Sequence, residues 1–301
     1  MTARSSRASA AGPQGAALKR VCVLIVNYNS GPWLARCIRA LKAEGAPWPE
    51  VRVLDNASID GSALTLTPMP GLEVIQSDKN LGFGLGINQL ARNVDSEFLL
   101  ILNPDCLLVA ESLQRLVAEL DAWPDVALVS GRVFDMHGKE QRGSRRQLPS
   151  PDRLRKEFFR PRSSGAVDLV HQSAPEKACV VEAVSGACIL IRTHVFKDLG
   201  GFDARFPMHF EDLDLMARLG ANGQQIRLVP NVVISHAGGV SSSHRPFRVE
   251  WNKHCGLWLY MNKHCSGRWF WLSRPLWAAA IAGHFLLRCP VVLWRGLTRS
   301  R

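Results

Sequence analysis

Two side chains that could bind a divalent cation stand at the ends of apolar runs in this sequence. Asp105 follows the run at residues 98–102, and His236 closes the run at residues 232–236. A carboxylate is a hard oxygen ligand that suits Mg²⁺ or Mn²⁺, and a neutral imidazole is a common metal ligand. Each residue also has an ordinary explanation, as a turn aspartate or as a histidine at the end of a strand.

Three acids within four residues could supply a general base. Glu211, Asp212 and Asp214 follow an aromatic stretch at residues 202–210 and open a predicted helix. Acids favour the positive end of a helix dipole, which would explain any one of them. Three acids exceed what one helix end needs, so one of them is a candidate for proton abstraction.

Two polar loops have the composition of a nucleotide site. Residues 55–62 follow the second apolar run, although Ser58 or Asp60 could simply cap a helix there. Residues 80–88 place three glycines at alternate positions ahead of a helix, where backbone amides can approach a phosphate or a ribose. The G-x-G-x-G spacing, which follows the third strand, differs from the dinucleotide fingerprint and disfavours an NAD enzyme.

The elements that must position these residues alternate between strands and helices. Apolar runs predict strands at residues 21–26, 51–54, 72–75 and 98–102, and helical spacing predicts helices at residues 33–41, 84–93 and 111–120. The alternation predicts an α/β fold with a mostly parallel sheet and helices on both faces. Ligands bind beyond the carboxyl ends of such strands. The residues just past these runs are Asn27, Asp55, Asn80 and Asp105.

A second block with strand and helix patterns follows a less regular segment. Between residues 131 and 180 the periodicity fades, which predicts a long, partly mobile loop around residues 142–162. The second block has a strand-like run at 180–192, helical patterns at 194–199 and 211–219, and two short strands at 226–229 and 232–236.

The composition is that of a globular protein with a basic tail. Hydrophobic residues make up 47% of the chain and charged residues 21%, which excludes a wholly disordered chain and a protein with many membrane spans. The eight cysteines form no C-x-x-C pair, as is typical of reduced thiols in the cytosol. Residues 1–20 lack the apolar stretch of a secretory signal, and we expect a disordered lead.

The tail combines basic and aromatic residues. The net charge is +11, and residues 241–301 hold ten basic residues and one acidic residue among many tryptophans. Residues 275–294 are apolar enough to suggest a membrane span, but His284 and Arg288 interrupt them. We interpret the tail as an interfacial helix facing anionic lipid, or as a helical domain packed on the body. No nucleic-acid module is visible, so nucleic acid is not an expected partner.

In order along the chain, seven short motifs resemble those of one enzyme family. They are V-C-V-L-I-V-N-Y-N, L-D-N-A-S-I-D-G-S, N-L-G-F-G, L-L-I-L-N-P-D, V-S-G-A, F-E-D-L-D and S-H-A-G-G, within about residues 21–241. The series resembles the family 2 inverting glycosyltransferases with the GT-A fold. Within that family it is similar to bacterial rhamnosyltransferases that act on polyprenyl-diphosphate-linked sugars.

The resemblance implies a role for each candidate residue. Asp212 would be the catalytic base, Asp105 and His236 would hold Mg²⁺ or Mn²⁺, and Gly186 and Glu211 would contact the acceptor. Asn103 occupies the position of the first acid in the family's D-x-D motif, as in the rhamnosyltransferase-like subgroup. The residues implied to bind the nucleotide sugar are Asn27, Asn29, Asp55, Asn80, Gly82, Asn88, Asn103 and Asp105.

The resemblance also implies substrates, domains and a location. We expect rhamnose transfer from dTDP-rhamnose to a glycan or polyprenyl-diphosphate-linked acceptor in cell-envelope polysaccharide synthesis. Galactofuranosyl, glucosyl or N-acetylglucosaminyl transfer remains open, as does a non-catalytic nucleotide-sugar-binding scaffold. We expect a GT-A catalytic domain at residues 21–245 and a helical, membrane-associating extension at residues 246–301. The expected location is peripheral, on the cytoplasmic face of the membrane.

Overall fold

The computed structural model describes residues 17–42, 48–159, 167–206, 208–240 and 246–299. The strands are β1 (Val21–Asn27), β2 (Glu50–Asp55), β3 (Leu72–Gln76), β4 (Phe98–Leu102), β5 (Cys106–Leu107), β6 (Val126–Phe134), β7 (Arg145–Arg146), β8 (Cys179–Val181), β9 (Ala183–Val184), β10 (Cys188–Arg192) and β11 (Gln225–His236). The helices are α1 (Trp33–Ala40), α2 (Phe83–Ala91), α3 (Ala110–Ala122), α4 (Pro151–Phe159), α5 (Thr193–Asp198), α6 (Glu211–Ala221), α7 (Pro246–His264) and α8 (Arg268–Arg299).

One mixed sheet forms the centre of the fold, in the order β3-β2-β1-β4-β10-β6-β11-β5, with β8 also paired to β11. The four strands β3, β2, β1 and β4 run parallel to one another, as predicted. β10 runs antiparallel between β4 and β6, and β6 is parallel to β11. The prediction of a mostly parallel α/β sheet is therefore confirmed, with an antiparallel insertion at its middle.

Helices cover both faces of the sheet, because successive side chains of a buried strand point to opposite sides. In β1, Val21, Val23 and Ile25 pack into one core cluster with α1 and α3. Cys22 and Leu24 pack into the other cluster with α2 and α6. The eight cysteines are free thiols, and burial raises the pKa of Cys188 to about 12. The thiols of the core thus stay protonated.

The second block differs from the sequence prediction in how its strands are divided. The run at residues 180–192 forms three strands with different partners, because β8 pairs with β11, β9 with β7, and β10 with β4 and β6. The two short runs at 226–229 and 232–236 instead form the single strand β11, with a register shift between Leu228 and Val233. Pro230 lies in this shift, where its missing N–H removes no regular ladder bond.

The segment predicted as a loop around residues 142–162 is in part regular structure. It contains β7 and α4, and residues 160–166 lie outside the described part of the chain. Ion pairs hold it in addition to the apolar contact of Leu154, since the buried Arg145 binds Glu140 at 2.9 Å and Arg142 binds Asp168 at 2.9 Å. A search for apolar periodicity does not detect such contacts.

Both ends of the chain pack on the central domain where they are described. Of the expected lead at residues 1–20, residues 1–16 lie outside the described residues, but Leu18 is buried and Arg20 binds Glu97 and Asp121. The expected extension at residues 246–301 is helical where it is described, and it consists of α7 and α8.

One buried carboxylate fastens α7 to α6. Asp214 is fully buried, and its oxygens accept hydrogen bonds from Lys263 Nζ at 2.6 Å, His264 Nε2 at 2.7 Å and Arg218 Nε at 2.9 Å. Burial alone would raise the pKa of Asp214, but the hydrogen bonds from His264 and Lys263 and the charge of Arg218 lower it. α7 is therefore tied to the body through an ionised buried group.

We expect Asp214→Asn to lower the free energy of unfolding by about 3–5 kcal/mol, because it leaves buried cations without their counter-charge. The measurement is urea unfolding followed by circular dichroism. Because folding lowers the pKa of Asp214, its contribution should be complete above the unfolded pKa of about 4 and should disappear as the pH falls further.

Asp125→Asn is the matched control, since Asp125 is exposed. An equal loss of stability in the two variants, or none in Asp214→Asn, would contradict the role given to Asp214.

Candidate functional site

A cavity of about 1450 Å³ lies beyond the carboxyl ends of the parallel strands. It is bounded by the loops after β1, β2, β3 and β4, by the start of α6, and by α7 and α8. Eight of the candidate residues line it: Asn80, Gly82, Asn103, Asp105, Gly186, Glu211, Asp212 and His236. Four candidates do not: Asn27, Asn29, Asp55 and Asn88.

These four residues support the walls of the cavity. The fully buried Asn27 donates through Nδ2 to Asp55 Oδ1 at 2.9 Å and to Ser62 Oγ at 2.8 Å, which joins the ends of β1 and β2. Asn29 accepts a hydrogen bond from the amide of Ile59 at 2.8 Å. The amide group of Asn88 makes a reciprocal pair of 2.8 Å hydrogen bonds with the backbone of Phe202.

A buried asparagine that the motif analysis did not single out holds the glycine loop. Asn56 donates through Nδ2 to Asn80 Oδ1 at 3.1 Å and to the carbonyl of Gly82 at 3.3 Å. Its Oδ1 accepts from the amide of Leu81 at 2.8 Å. Asn56 thus sets the conformation of a loop whose Gly82 has φ 82°, a region that favours glycine.

Asp105 and His236 meet through strand pairing. His236 lies opposite Cys106 in the antiparallel β5–β11 pair, so the adjacent Asp105 reaches the imidazole. Asp105 Oδ1 is 3.2 Å from His236 Nε2, and both side chains are largely buried. The two predicted metal ligands are therefore neighbours.

Gln141, which the sequence analysis did not identify, orients the imidazole. Gln141 Nε2 donates to the backbone carbonyl of His236 at 2.7 Å, which leaves Gln141 Oε1 facing His236 Nδ1 at 2.8 Å. Since Oε1 can only accept, Nδ1 carries a proton, and Nε2 is the ring atom that faces Asp105 and is available to a metal. A histidine prepared in this way is typical of metal sites.

The donor set around this pair fits Mg²⁺ or Mn²⁺. Asp105, Cys106 and His236 place one potential ligand atom each within 4.8 Å of one another. The thiol of Cys106 points instead to the carbonyl of Ala187 at 3.4 Å, and burial raises its pKa well above the usual value. The available ligands are therefore one carboxylate and one imidazole nitrogen, a set that hard divalent cations accept when other oxygen ligands complete it.

Asp212 is held by Arg146 and by the backbone of Gly186. Arg146 Nη2 donates a short hydrogen bond to Asp212 Oδ2, and the amide of Gly186 donates to the same oxygen at 3.1 Å. A Cβ atom at Gly186 would lie 2.7 Å from Asp212 Cβ, so only glycine allows this approach. Burial opposes ionisation of Asp212, but the charge and hydrogen bond of Arg146 outweigh it and lower its pKa. Asp212 is thus an ionised carboxylate.

The neighbouring Glu211 has the opposite protonation state. Burial, assisted by the charge of Asp212, raises the pKa of Glu211 to about 8. Its Oε2 atom is buried and finds no hydrogen-bond partner among the described residues. At neutral pH this wall of the cavity therefore presents one carboxylic acid beside one carboxylate.

The segment before these acids is strained. His209 and Phe210 have φ values of 69° and 70°, in the left-handed region that side chains other than glycine rarely adopt. Such strain is common at functional sites, where the surrounding structure enforces it. Here α7 packs on the segment, because a Cβ atom at Gly256 would lie 2.9 Å from Phe210 Cδ2.

Two further features of the site were not found by sequence reasoning. Arg146 lies in a basic stretch, but nothing in its spacing links it to Asp212, which is 66 residues away. The second feature is the wall formed by α7 and α8, because sequence analysis assigned this tail to a membrane-associating helix or to a helical domain packed on the body, without a part in the cavity. Its charged and histidine side chains are Arg248, Glu250, Lys253, His254, His284 and Arg288.

Comparison with known proteins relates the chain to sugar-transferring enzymes. A model of "Glycosyl transferase family 2" matches residues 22–199. The N-acetylglucosaminyl-diphospho-decaprenol L-rhamnosyltransferase of Mycobacterium tuberculosis strain H37Rv is 26% identical over 296 residues, which cover 93% of this chain and 94% of that protein.

Solved structures share the fold at low sequence identity. S. aureus TarS 1-349 in complex with UDP-GlcNAc has a TM-score of 0.56 and 17% identity, over 87% of this chain and 71% of that one. In another structure of TarS 1-349, the region that matches this chain covers 64% of the TarS chain. Mannosyltransferase PcManGT from Pyrobaculum calidifontis in complex with GDP-Man and Mn²⁺ has a TM-score of 0.53 and 19% identity, over 93% and 73% of the two chains. These neighbours confirm the predicted GT-A fold.

The contact between Gln141 and His236 predicts an effect on metal binding. Gln141→Leu should weaken Mn²⁺ binding about 10–100-fold, because the imidazole loses the hydrogen bond that fixes its ring and its tautomer. The measurement is a titration with Mn²⁺ alone, in which electron paramagnetic resonance reports the free ion.

Gln225→Leu serves as the control, since Gln225 lies on β11, the strand that carries His236, but is exposed and outside the cavity. Equal Mn²⁺ affinities for the wild type and Gln141→Leu would show that Gln141 does not prepare His236 for a metal.

Proposed function

Because the chain belongs to glycosyl transferase family 2, we propose that it transfers a sugar from a nucleoside-diphosphate sugar to a hydroxyl group of a polyprenyl-diphosphate-linked glycan. The observation that carries the proposal is the joint presence of two pairs in one cavity. Asp105 and His236 form a pair suited to a cation beside a diphosphate, and Asp212 is a carboxylate kept ionised by Arg146. The cavity volume exceeds the roughly 300–1,000 Å³ of a pocket for one small ligand, which suits two substrates.

We infer that rhamnose, carried by dTDP, is the donor sugar and that the product enters a cell-envelope polysaccharide. The support is the similarity to the mycobacterial N-acetylglucosaminyl-diphospho-decaprenol L-rhamnosyltransferase. N-acetylglucosaminyl transfer is the second candidate, because the TarS neighbour was crystallised with UDP-GlcNAc.

The mechanism is a single displacement. A hydroxyl oxygen of the acceptor attacks the anomeric carbon while its proton passes to a carboxylate oxygen of Asp212. The new carbon–oxygen bond forms as the bond from the anomeric carbon to the diphosphate breaks, and the nucleoside diphosphate leaves with the electron pair. Attack from the face opposite the leaving group inverts the configuration, and no covalent enzyme intermediate is needed.

The residues around Asp212 prepare this step. Arg146 keeps Asp212 unprotonated at neutral pH, and the amide of Gly186 fixes the orientation of the carboxylate. Glu211 keeps a proton on its buried carboxyl and can donate a hydrogen bond to an acceptor oxygen. We thus assign Gly186 a positioning role and Glu211 a role in acceptor binding.

Asp105 and His236 would hold a divalent cation, Mg²⁺ or Mn²⁺. When bound, such a cation supplies positive charge that stabilises the departing diphosphate. Asn80, Gly82 and Asn103 line the same cavity, and we assign them a role in binding the donor.

We also propose that the enzyme works at the cytoplasmic face of a membrane, with α8 against the lipid. Within the described residues, Arg268–Val292 is the one helical segment long and apolar enough to cross a bilayer. The residues that interrupt its apolar pattern face α7, since His284 bonds to His254 at 2.9 Å and Arg288 to Glu250 at 3.2 Å. The outer face of α8 exposes large apolar side chains: Trp269, Trp271, Leu272, Leu276, Leu286, Leu287 and Val291. This separation of a polar face from an apolar face favours a helix that lies in the membrane interface over one that spans the bilayer.

The function is tested with a panel of nucleotide sugars and a lipid-linked acceptor. We expect dTDP-rhamnose to support transfer to a synthetic N-acetylglucosaminyl-diphospho-polyprenol, and Asp212→Asn to reduce the rate about 10²–10⁴-fold because the base is lost. Radiolabelled product extracted into organic solvent measures the transfer.

Asp95→Asn removes one exposed carboxylate away from the cavity and is the control. Transfer from UDP-GlcNAc alone would replace the donor assignment. Near-normal turnover by Asp212→Asn would remove Asp212 from the role of base.

The membrane proposal predicts binding to anionic vesicles. The wild-type protein should sediment with phosphatidylglycerol vesicles at low salt and be partly released by high salt, because each basic residue near the surface contributes about 1 kcal/mol. Leu276→Glu combined with Leu287→Glu should weaken this binding at least about tenfold, since two charges would have to enter the lipid.

The matched control is the double variant Leu64→Glu, Val180→Glu, which replaces two exposed apolar residues on the catalytic body. If the wild type stays in the supernatant at low salt, the exposed face of α8 has another use and the membrane proposal fails.

A further inference from the structure

We propose that the α7–α8 wall of the cavity binds the diphosphate group of the lipid-linked acceptor. We call this surface the cationic wall and define it as Arg248, Lys253, His254, His284 and Arg288, which all line the cavity. The inference rests on the proposed function for the identity of the acceptor, and it assigns the contacts that recognise that acceptor.

The charge of the cationic wall suits a diphosphate. Arg248 and Lys253 are exposed, and neither has an ion-pair partner within the part of the chain that the structure describes. The third cation, Arg288, is paired with Glu250. A diphosphate joining a lipid to a sugar carries two negative charges, which matches the two cations that have no counter-ion. Charge-assisted hydrogen bonds to phosphate are among the stronger polar contacts in proteins.

The histidines join the two helices at this point. His254 Nδ1 faces the backbone carbonyl of Glu250 at 2.7 Å, so Nδ1 carries the proton and Nε2 accepts. His284 Nδ1 lies 2.9 Å from that Nε2 and donates to it. The hydrogen bond ties α8 to α7 and therefore holds Arg288 beside Lys253 and Arg248 in one wall.

The cationic wall is coupled to the catalytic acids through close packing. Gly256 allows α7 to contact the segment before α6, since its Cβ would lie 3.1 Å from the carbonyl oxygen of His209. The charges of Lys253 and Asp212 both act on the pKa of His209, so both residues lie near it. We therefore place the diphosphate of an acceptor whose sugar lies at Asp212 at the cationic wall.

The same helix provides a route for the lipid. α8 turns His284 and Arg288 toward α7, whereas Leu286 and Leu287 are 66% and 77% exposed on its outer face. Ile281 lines the cavity and packs in the cluster under α8. An acceptor bound by its diphosphate at the cationic wall could therefore leave its isoprenoid chain on the outer, apolar face of α8.

The donor also carries a diphosphate, so the experiment must distinguish binding of the donor's diphosphate from binding of the acceptor's diphosphate. Farnesyl diphosphate, which has a diphosphate and a short isoprenoid chain but no sugar or base, is titrated calorimetrically into the full-length protein. Saturating dTDP and Mg²⁺ are present to occupy the donor side. We expect one binding site in the wild type and an affinity about tenfold or more lower in the double variant Arg248→Ala, Lys253→Ala.

The matched control removes two exposed cations outside the cavity, Arg92 and Lys177, and should bind like the wild type. Thermal melting of each variant verifies folding. The proposal is overturned if the wild type does not bind farnesyl diphosphate with dTDP present, or if the double variant binds it equally well. It is also overturned if the double variant loses only its affinity for phosphatidylglycerol vesicles, because the wall would then bind membrane headgroups.

A transfer assay separates this inference from the proposed function. Two acceptors are compared, an N-acetylglucosaminyl-diphospho-farnesol and an N-acetylglucosaminyl alkyl glycoside that lacks the diphosphate. The wild type should prefer the diphosphate acceptor in kcat/KM, and the double variant should lose at least tenfold of that preference. Absence of transfer from every nucleotide sugar would refute the proposed function, whereas the calorimetric result would still decide whether the cationic wall binds a diphosphate.

Discussion

The buried carboxylate of Asp214 is the contact on which the arrangement of the cavity depends. Taking a carboxylate out of water is costly, and it is tolerated here because Lys263, His264 and Arg218 all bind it. Asp214 belongs to α6, two residues after Asp212, while Lys263 and His264 end α7. The interaction therefore fixes the helix that carries the catalytic candidate against the helix that carries the opposite wall. Together with the close packing of Gly256 against Phe210, it sets the separation of the two walls.

Burial then gives adjacent acids different chemical properties. Glu211, Asp212 and Asp214 have the same kind of side chain and lie within four residues, but their partners differ. Glu211 has no ion-pair partner among the described residues and keeps its proton, Asp212 is ionised by Arg146, and Asp214 is ionised mainly by the groups on α7. In a low-dielectric site the presence or absence of one cation decides the protonation state. The same principle of a fixed partner holds for His236, whose tautomer is set by Gln141.

The distribution of charge divides the cavity into regions. Asp105 and Glu211 are buried and Asp212 is partly buried, whereas exposed cations lie on α7. α8 continues this division, because it has polar groups toward α7 and large apolar side chains outward. A substrate that joins a sugar, a diphosphate and a lipid has the same order of properties. This correspondence supports the proposed function beyond what family membership alone indicates.

The sequence by itself determined the first four strands, the helices between them and the identity of Asp105, Asp212 and His236 as candidates. These signals are local, since apolar periodicity and short motifs depend on neighbouring residues. Only the tertiary structure placed Arg146 on Asp212 and Gln141 on His236, contacts that span 66 and 95 residues. It also decided that Asn27 and Asn88 support the walls instead of lining the cavity, and that the basic tail forms one of those walls. Polar pairing of this kind has no periodicity along the chain, because it depends on the order and register of the strands and on which polar groups lose contact with water when the chain folds.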